Sequence, residues 1–154
     1  VQTALDMLDA VNEFNNKLAT EQKPPVGLGA GVNTGKILVG NIGSEKKLGY
    51  DCLGDPVSVA ARLESQTKSY GVLLIVGPDT VQATQGDFDW WELDNIAVKG
   101  KEKPLRIYTV HKQTKEHVTW LKNYYAGNWD ACFDTARKCS KAAPKMSEYY
   151  AKMC

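Results

Sequence analysis

The sequence predicts a mixed domain of the α/β or α+β class followed by an all-helical tail. Three observations carry this. Strand-like and helix-like segments alternate as far as His111. Glycine is dense through the strand-like stretch from Gly27 to Gly43, where side chains would ordinarily line a sheet. After His111 the strand signals stop, and the remaining residues read as short helices separated by Gly127-Asn128 and Pro144.

Taken in order, residues 3 to 21 form a helix. Ala4, Met7, Leu8, Val11, Phe14 and Leu18 recur at spacings of three and four, with Asp6, Asp9, Asn12, Glu13 and Lys17 opposite. Lys23-Pro24-Pro25 stops it. "VGLGAGVNTG" and "KILVGNIGS" are two strands, and the short Thr34-Gly35-Lys36 link suits a hairpin between them. Their glycines point to close approach of another backbone or a ligand. "KKLGYDCLG" is a third strand. Asp55 as N-cap and Pro56 at the first helical position open a helix that runs to about Ser69 and ends at Gly71. "VLLIVG" is a buried strand by its unbroken apolar run, and "PDTVQATQG" a short helix opened by proline. "DFDWWELD" and "PLRIYTVH" are two further strands, joined by the basic "VKGKEK" loop. The tail holds helices near 116–126, 129–141 and 144–153 and resembles a single tetratricopeptide unit, although one unit makes no array.

The chain has 154 residues, 43% hydrophobic and 24% charged, which suits one globular domain with an appendage. A net charge of +1 gives no electrostatic case for nucleic acid or an anionic membrane. No apolar run approaches the roughly 20 residues of a membrane span, and no signal-peptide pattern opens the chain. Beginning at Val1, it reads as part of a longer protein that could carry an upstream membrane segment. The four cysteines, Cys52, Cys132, Cys139 and Cys154, form no CxxC pair, and neither histidine lies near them in sequence, which argues against zinc. Cys132 and Cys139 share a helix face and read as reduced core thiols of a cytosolic protein.

Two groups of residues bear on chemistry. Ser58 and Arg62, four apart, share one helix face near an N-terminus, a sensible place to bind a phosphate or oxyanion; Asp51 precedes them on a strand. The same three also fit a plain surface: an edge aspartate and two solvated helix residues. The lysines of "VKGKEK" are either a solvated loop or a cationic clamp for a polyphosphate. No GxxxxGK[ST] is present, so a P-loop is excluded, and no Ser-His-Asp or Cys-His arrangement suggests itself.

"GAGVNTGKILVGNIGSEKKLGYDCLGDPVSVAARLES" resembles the second half of the class III nucleotide cyclase catalytic domain. The spaced glycines from Gly31 to Gly43, then Tyr50, then Gly54-Asp55-Pro56-Val57-Ser58-Val59-Ala60-Ala61-Arg62-Leu63-Glu64 follow that family's order, and "AVKGKEKPLRIYTV" is similar to its closing strand. The tail is similar, more loosely, to the C-terminal extension of bacterial sensor-type cyclases. The resemblance implies an α+β, ferredoxin-like cyclase fold with its N-terminal part missing over residues 1–111, then a helical hairpin-like extension over 112–154.

The resemblance further implies a phosphorus-oxygen lyase that turns ATP into 3′,5′-cyclic AMP and pyrophosphate in intracellular signalling. Mg2+ or Mn2+ is expected in the intact enzyme, held by two aspartates, with the opposing wall supplied across a homodimer. Asp51 falls on the position that accepts from the adenine amino group, where guanylate cyclases usually have cysteine; Cys52 is one place out of register. Arg62 falls on the transition-state arginine at the α-phosphate, and Lys99 on the lysine that reaches the terminal phosphates. Ser58 stands where the family most often has the asparagine that orients ribose. The stretches bearing both metal aspartates and the base-reading lysine are absent; Asp6 and Asp9 match neither motif. The expectation is therefore a chain that binds no metal by itself and is inactive alone, its partners ATP and a second copy. It makes no nucleic-acid or membrane contact and lies in the cytoplasm or on the cytoplasmic side of a membrane receptor. The alternative is a degenerate cyclase-like module that binds nucleotide or dimerises in a regulatory role.

Overall fold

The computed structural model describes residues 1–44, 47–97, 103–139 and 144–153. Among these residues six helices and six strands follow one another as α1 (Gln2–Thr20), β1 (Ala30–Val32), β2 (Leu38–Ser44), β3 (Lys47–Leu53), α2 (Asp55–Tyr70), β4 (Leu74–Val76), α3 (Pro78–Ala83), β5 (Trp90–Ile96), β6 (Leu105–Val110), α4 (Lys115–Tyr125), α5 (Trp129–Lys138) and α6 (Pro144–Met153). The main sheet has the order β1-β4-β6-β5, with β1 parallel to β4 and the other pairs antiparallel. β2 and β3 form a separate two-stranded ribbon. The architecture is α+β with a helical C-terminal region.

The expected hairpin between the first two strands does not form. β1 pairs with β4 instead, and β2 pairs with β3, Leu38 opposite Leu53 through Ser44 opposite Lys47. The residues read as a turn make side-chain ties in place of a reversal. Asn33 Nδ2 donates to the Pro56 carbonyl (3.2 Å), and the hydroxyls of Thr34 and Thr80 lie 2.8 Å apart. The glycine argument fares better. A Cβ on Gly31 would run into the Ala60 carbonyl oxygen and the Glu64 nitrogen, so β1 and α2 meet backbone to backbone because position 31 has no side chain.

α1 covers its expected span within a residue, but its stripe is shallow. Ala4, Leu5, Leu8, Val11, Asn15 and Leu18 are half-buried and none is fully buried, while Met7 and Phe14 are exposed. Asn15 takes a place in the inward row because its amide clasps the Val26 backbone, accepting from the N–H (2.7 Å) and donating to the carbonyl (2.9 Å). α2 begins one residue earlier than the capping pattern predicts: Gly54 is the N-cap and Asp55 the first helical residue, its charge favourable in the first turn. Gly71 ends the helix in the left-handed conformation (φ 65°).

The core joins sheet and tail. Leu74, Ile75 and Val76 of β4 are all buried. Val59 and Leu63 of α2, Ile75, Trp91, Leu93 and Ile107 of the sheet, and Trp120, Cys132, Ala136, Met146 and Tyr150 of the tail make one cluster. Aromatic rings dominate the seam: Trp91 stacks on His117 (centroids 3.8 Å apart), and Trp120 stacks on Tyr150 (3.8 Å). Trp91 Nε1 donates to the Tyr150 hydroxyl (2.9 Å), and the Tyr125 hydroxyl donates to Glu92 (2.7 Å). The tail helices thus cover apolar residues of the sheet. Cys132 and Cys139 are buried and form no disulfide among the described residues, and burial pushes the Cys139 thiol up to about 11, out of the reactive range. Cys154 lies outside the described residues. No described helix is long and apolar enough to cross a membrane.

Candidate functional site

The candidate residues sit on one continuous segment, β3 followed by α2. β3 holds Asp51 opposite Gly40 of β2, with its side chain exposed. One carboxylate oxygen accepts from the next backbone N–H, Cys52 N (2.7 Å), which restrains the side chain close to its own strand. Cys52, on the opposite side of the pleat, is half-buried. Gly54 then turns the chain with φ 151° and ψ 160°, a conformation that a side chain would strain. Its carbonyl accepts from Val57 N (3.1 Å) and Ser58 N (3.4 Å), closing the first turn of α2.

α2 buries Val59, Leu63, Thr67 and Tyr70, at spacings of four, four and three. Ser58 and Arg62 each precede one of these, so they flank the buried row four apart; Ser58 is exposed and Arg62 half-buried. The structure therefore places an acceptor on the strand and a hydroxyl and a guanidinium on the first turns of the helix it feeds. The helix is held on both sides, by Asn33, which the sequence reading did not single out, and by Gly31, one of the glycines it read as marking a close approach. Asn33 grips its start, and Gly31 seats its middle. Lys99 and most of the "VKGKEK" loop lie outside the described residues.

Among the described residues no group of three or more His, Cys, Asp or Glu side chains could hold a metal ion. Asp6 and Asp9 are exposed on α1, and Gln2 donates to Asp6 (2.8 Å). The donor set does not fit a Mg2+ or Mn2+ pair, which needs convergent carboxylates, and no step of the chemistry is assigned to a metal on these residues.

The model of the adenylate and guanylate cyclase catalytic domain matches residues 1–112. The chain belongs to that family. It is 30% identical over 107 residues to adenylate cyclase 1 of Rhizobium meliloti, covering 70% of this chain and 16% of that protein. It is 33% identical over 97 residues to the terminal-differentiation specific adenylate cyclase of Dictyostelium discoideum, covering 61% and 5%. An uncharacterized protein of Mycobacterium tuberculosis is 34% identical over 102 residues, covering 65% of this chain and 19% of its own length. Among solved structures, the guanylyl cyclase Cya2 is similar with a TM-score of 0.57 at 27% identity, covering 71% of this chain and 55% of that one. The chain spans less than a fifth of the length of these sequence relatives.

Proposed function

We propose that the chain supplies the base-reading and phosphate-holding wall of an adenylate cyclase, which converts ATP to 3′,5′-cyclic AMP and pyrophosphate. The observation that supports this best is the exposed Asp51 on a strand that runs, through one glycine turn, into the helix bearing Ser58 and Arg62. Asp51 accepts from the adenine amino group. Ser58 donates to the ribose, with shorter reach than an amide. Arg62 donates to the α-phosphate oxygens, where charge shifts most as the 3′-oxygen attacks. Lys99 contacts the terminal phosphates. The metal-bearing wall comes from another stretch of polypeptide, so the chain alone does not turn over ATP.

Assembly follows from the same geometry. The β2–β3 ribbon stands apart from the main sheet with Leu38, Val39, Leu48, Tyr50 and Leu53 exposed, Tyr50 to 78%. β1 is an edge strand of the main sheet. The chain forms a homodimer through its glycine-rich strands, residues 27 to 43, burying more than about 1,000 Å². Light scattering behind size exclusion tests this: a 17.0 kDa species at all concentrations refutes it.

The activity is tested on the full-length protein that carries this chain, with ATP and GTP in parallel. Guanine presents a carbonyl where adenine has its amino group, so Asp51 would face acceptor to acceptor, costing about 1–3 kcal/mol, or roughly 5- to 150-fold in turnover efficiency. Higher efficiency with GTP would remove Asp51 from its role. Arg62→Ala lowers kcat roughly 100- to 1000-fold with a smaller change in KM.

A further inference from the structure

α2 carries the candidate phosphate contacts in its first half and a different kind of residue at its end. Tyr70, the last residue of the helix, is 2% exposed, and its hydroxyl donates to Asp94 Oδ2 (2.7 Å). Asp94 is 4% exposed and lies where the β5–β6 register shifts; its other oxygen accepts from Asn95 N (2.7 Å). The Tyr70 ring also packs on Tyr149 of α6, centroids 4.3 Å apart and tilted 45°. Gly71 lets the tail come this close, since a Cβ there would lie 2.7 Å from that of Lys145. The end of α2 is thus held by the sheet and by the tail at once.

The contact at Gly31 sets the height of α2 above β1, but a glycine offers no side chain to resist rotation of the helix about its own axis. The buried row Val59, Leu63 and Thr67 resists it by packing, and Tyr70 adds a directional tie, because its arm is long and its hydroxyl is fixed to β5. The guanidinium of Arg62 lies about 6 Å or more from the helix axis, so a roll of about 10° moves it by about 1 Å. A misplacement of that size costs up to about 100-fold in rate where a transition state must be met.

We propose that Tyr70 is a positioning residue: its bond to Asp94 and its packing on Tyr149 set the rotation of α2, and so couple docking of the helical tail to the presentation of Ser58 and Arg62. The proposal rests on the roles given above to Ser58 and Arg62. Burial, with Tyr149 and Asp94 as neighbours, raises the Tyr70 pKa, which keeps the hydroxyl a donor at any working pH.

Two measurements test it. Hydrogen exchange on this chain needs no nucleotide. In Tyr70→Phe, which keeps the ring and removes only the hydroxyl, amides 57 to 63 are expected to exchange at least about fivefold faster while β4 and β6 keep their protection. In the full-length protein, Tyr70→Phe is expected to lower kcat about tenfold with KM within about twofold. Asp94→Asn keeps one accepting oxygen, enough for the Tyr70 hydroxyl but not also for the Asn95 N–H, so it should lower kcat less than Tyr70→Phe does. The double variant Tyr70→Phe/Asp94→Leu removes the stranded carboxylate, so it should recover stability but not kcat. Unchanged exchange in α2 overturns the coupling. Full recovery of kcat in the double variant also overturns it, by showing that Tyr70 only satisfies a buried charge. A wild-type protein without cyclase activity refutes the proposed function, and the exchange result then decides the positioning by itself.

Discussion

Acid should loosen the seam between sheet and tail, and His117 is the reason. The side chain is fully buried and stacked on Trp91. Its Nε2 lies 2.7 Å from the Glu92 carbonyl oxygen, which can only accept, so the proton sits on Nε2. Nδ1 is buried without a hydrogen-bond partner among the described residues. Protonating it would create a buried donor with nothing to receive it. Burial accordingly pulls the imidazole from its ordinary 6.5 down to about 4. The folded pKa lies below the unfolded one, so the unfolded chain takes up the proton first. This contribution to stability is complete above 6.5 and is lost as the pH falls from there toward 4. Linkage over that gap amounts to about 2 kcal/mol between about pH 7.5 and about pH 5, and about 3 kcal/mol in full. Urea unfolding at the two pH values measures it. In His117→Phe the ring stack survives and the titration does not, so the loss over the same interval should shrink by about 2 kcal/mol, even though the stranded Glu92 carbonyl lowers stability at neutral pH by about 1–3 kcal/mol. An equal loss in wild type and variant would refute the reasoning and move the acid sensitivity elsewhere.

Three other substitutions probe separate joints. Gly31→Val places a side chain against the α2 backbone and should destabilise the chain by about 1–3 kcal/mol or more, read from the urea midpoint. Trp120→Ala empties the space between Tyr150 and Tyr124 and should cost about 3–5 kcal/mol by the same assay. Leu38→Glu on the exposed ribbon should leave the melting temperature within a few degrees but shift light scattering toward the monomer; a full-strength dimer would place the interface away from the ribbon.

The fold was legible where one physical signal dominated locally. α2 announced itself through Pro56 at its start and Gly71 at its end, β4 through an unbroken apolar run, and the tail helices through Gly127 and Pro144. It was not legible where two solutions are locally equivalent. Residues 34 to 36 have the composition of a turn, and only the partners of Asn33 and Thr34, Pro56 and Thr80, distant in sequence, make the stretch a loop between two sheets. At the site, Asp51, Ser58 and Arg62 could be named because a family motif spaces them. The groups that hold α2 in place could not. Asn33 sits in a loop, and Tyr70 and Asp94 are 24 residues apart, so none of the three belongs to a pattern of chemistry until the chain is folded; Gly31 is the exception, flagged by the glycine density as a place of close approach. Phe14 failed differently: its position fits the stripe, but the inward row passes through Asn15 because that amide satisfies a backbone pair.

The bond from Trp91 to Tyr150 joins residues on either side of the point where cyclase-like sequence gives way to the tail. That bond has a consequence for how such a protein can diverge. A tail transplanted from another enzyme would bring new rings to meet an unchanged Trp91, leaving its indole nitrogen buried without an acceptor. Recombination at this junction therefore carries a cost of about 1–3 kcal/mol unless β5 and α6 change together.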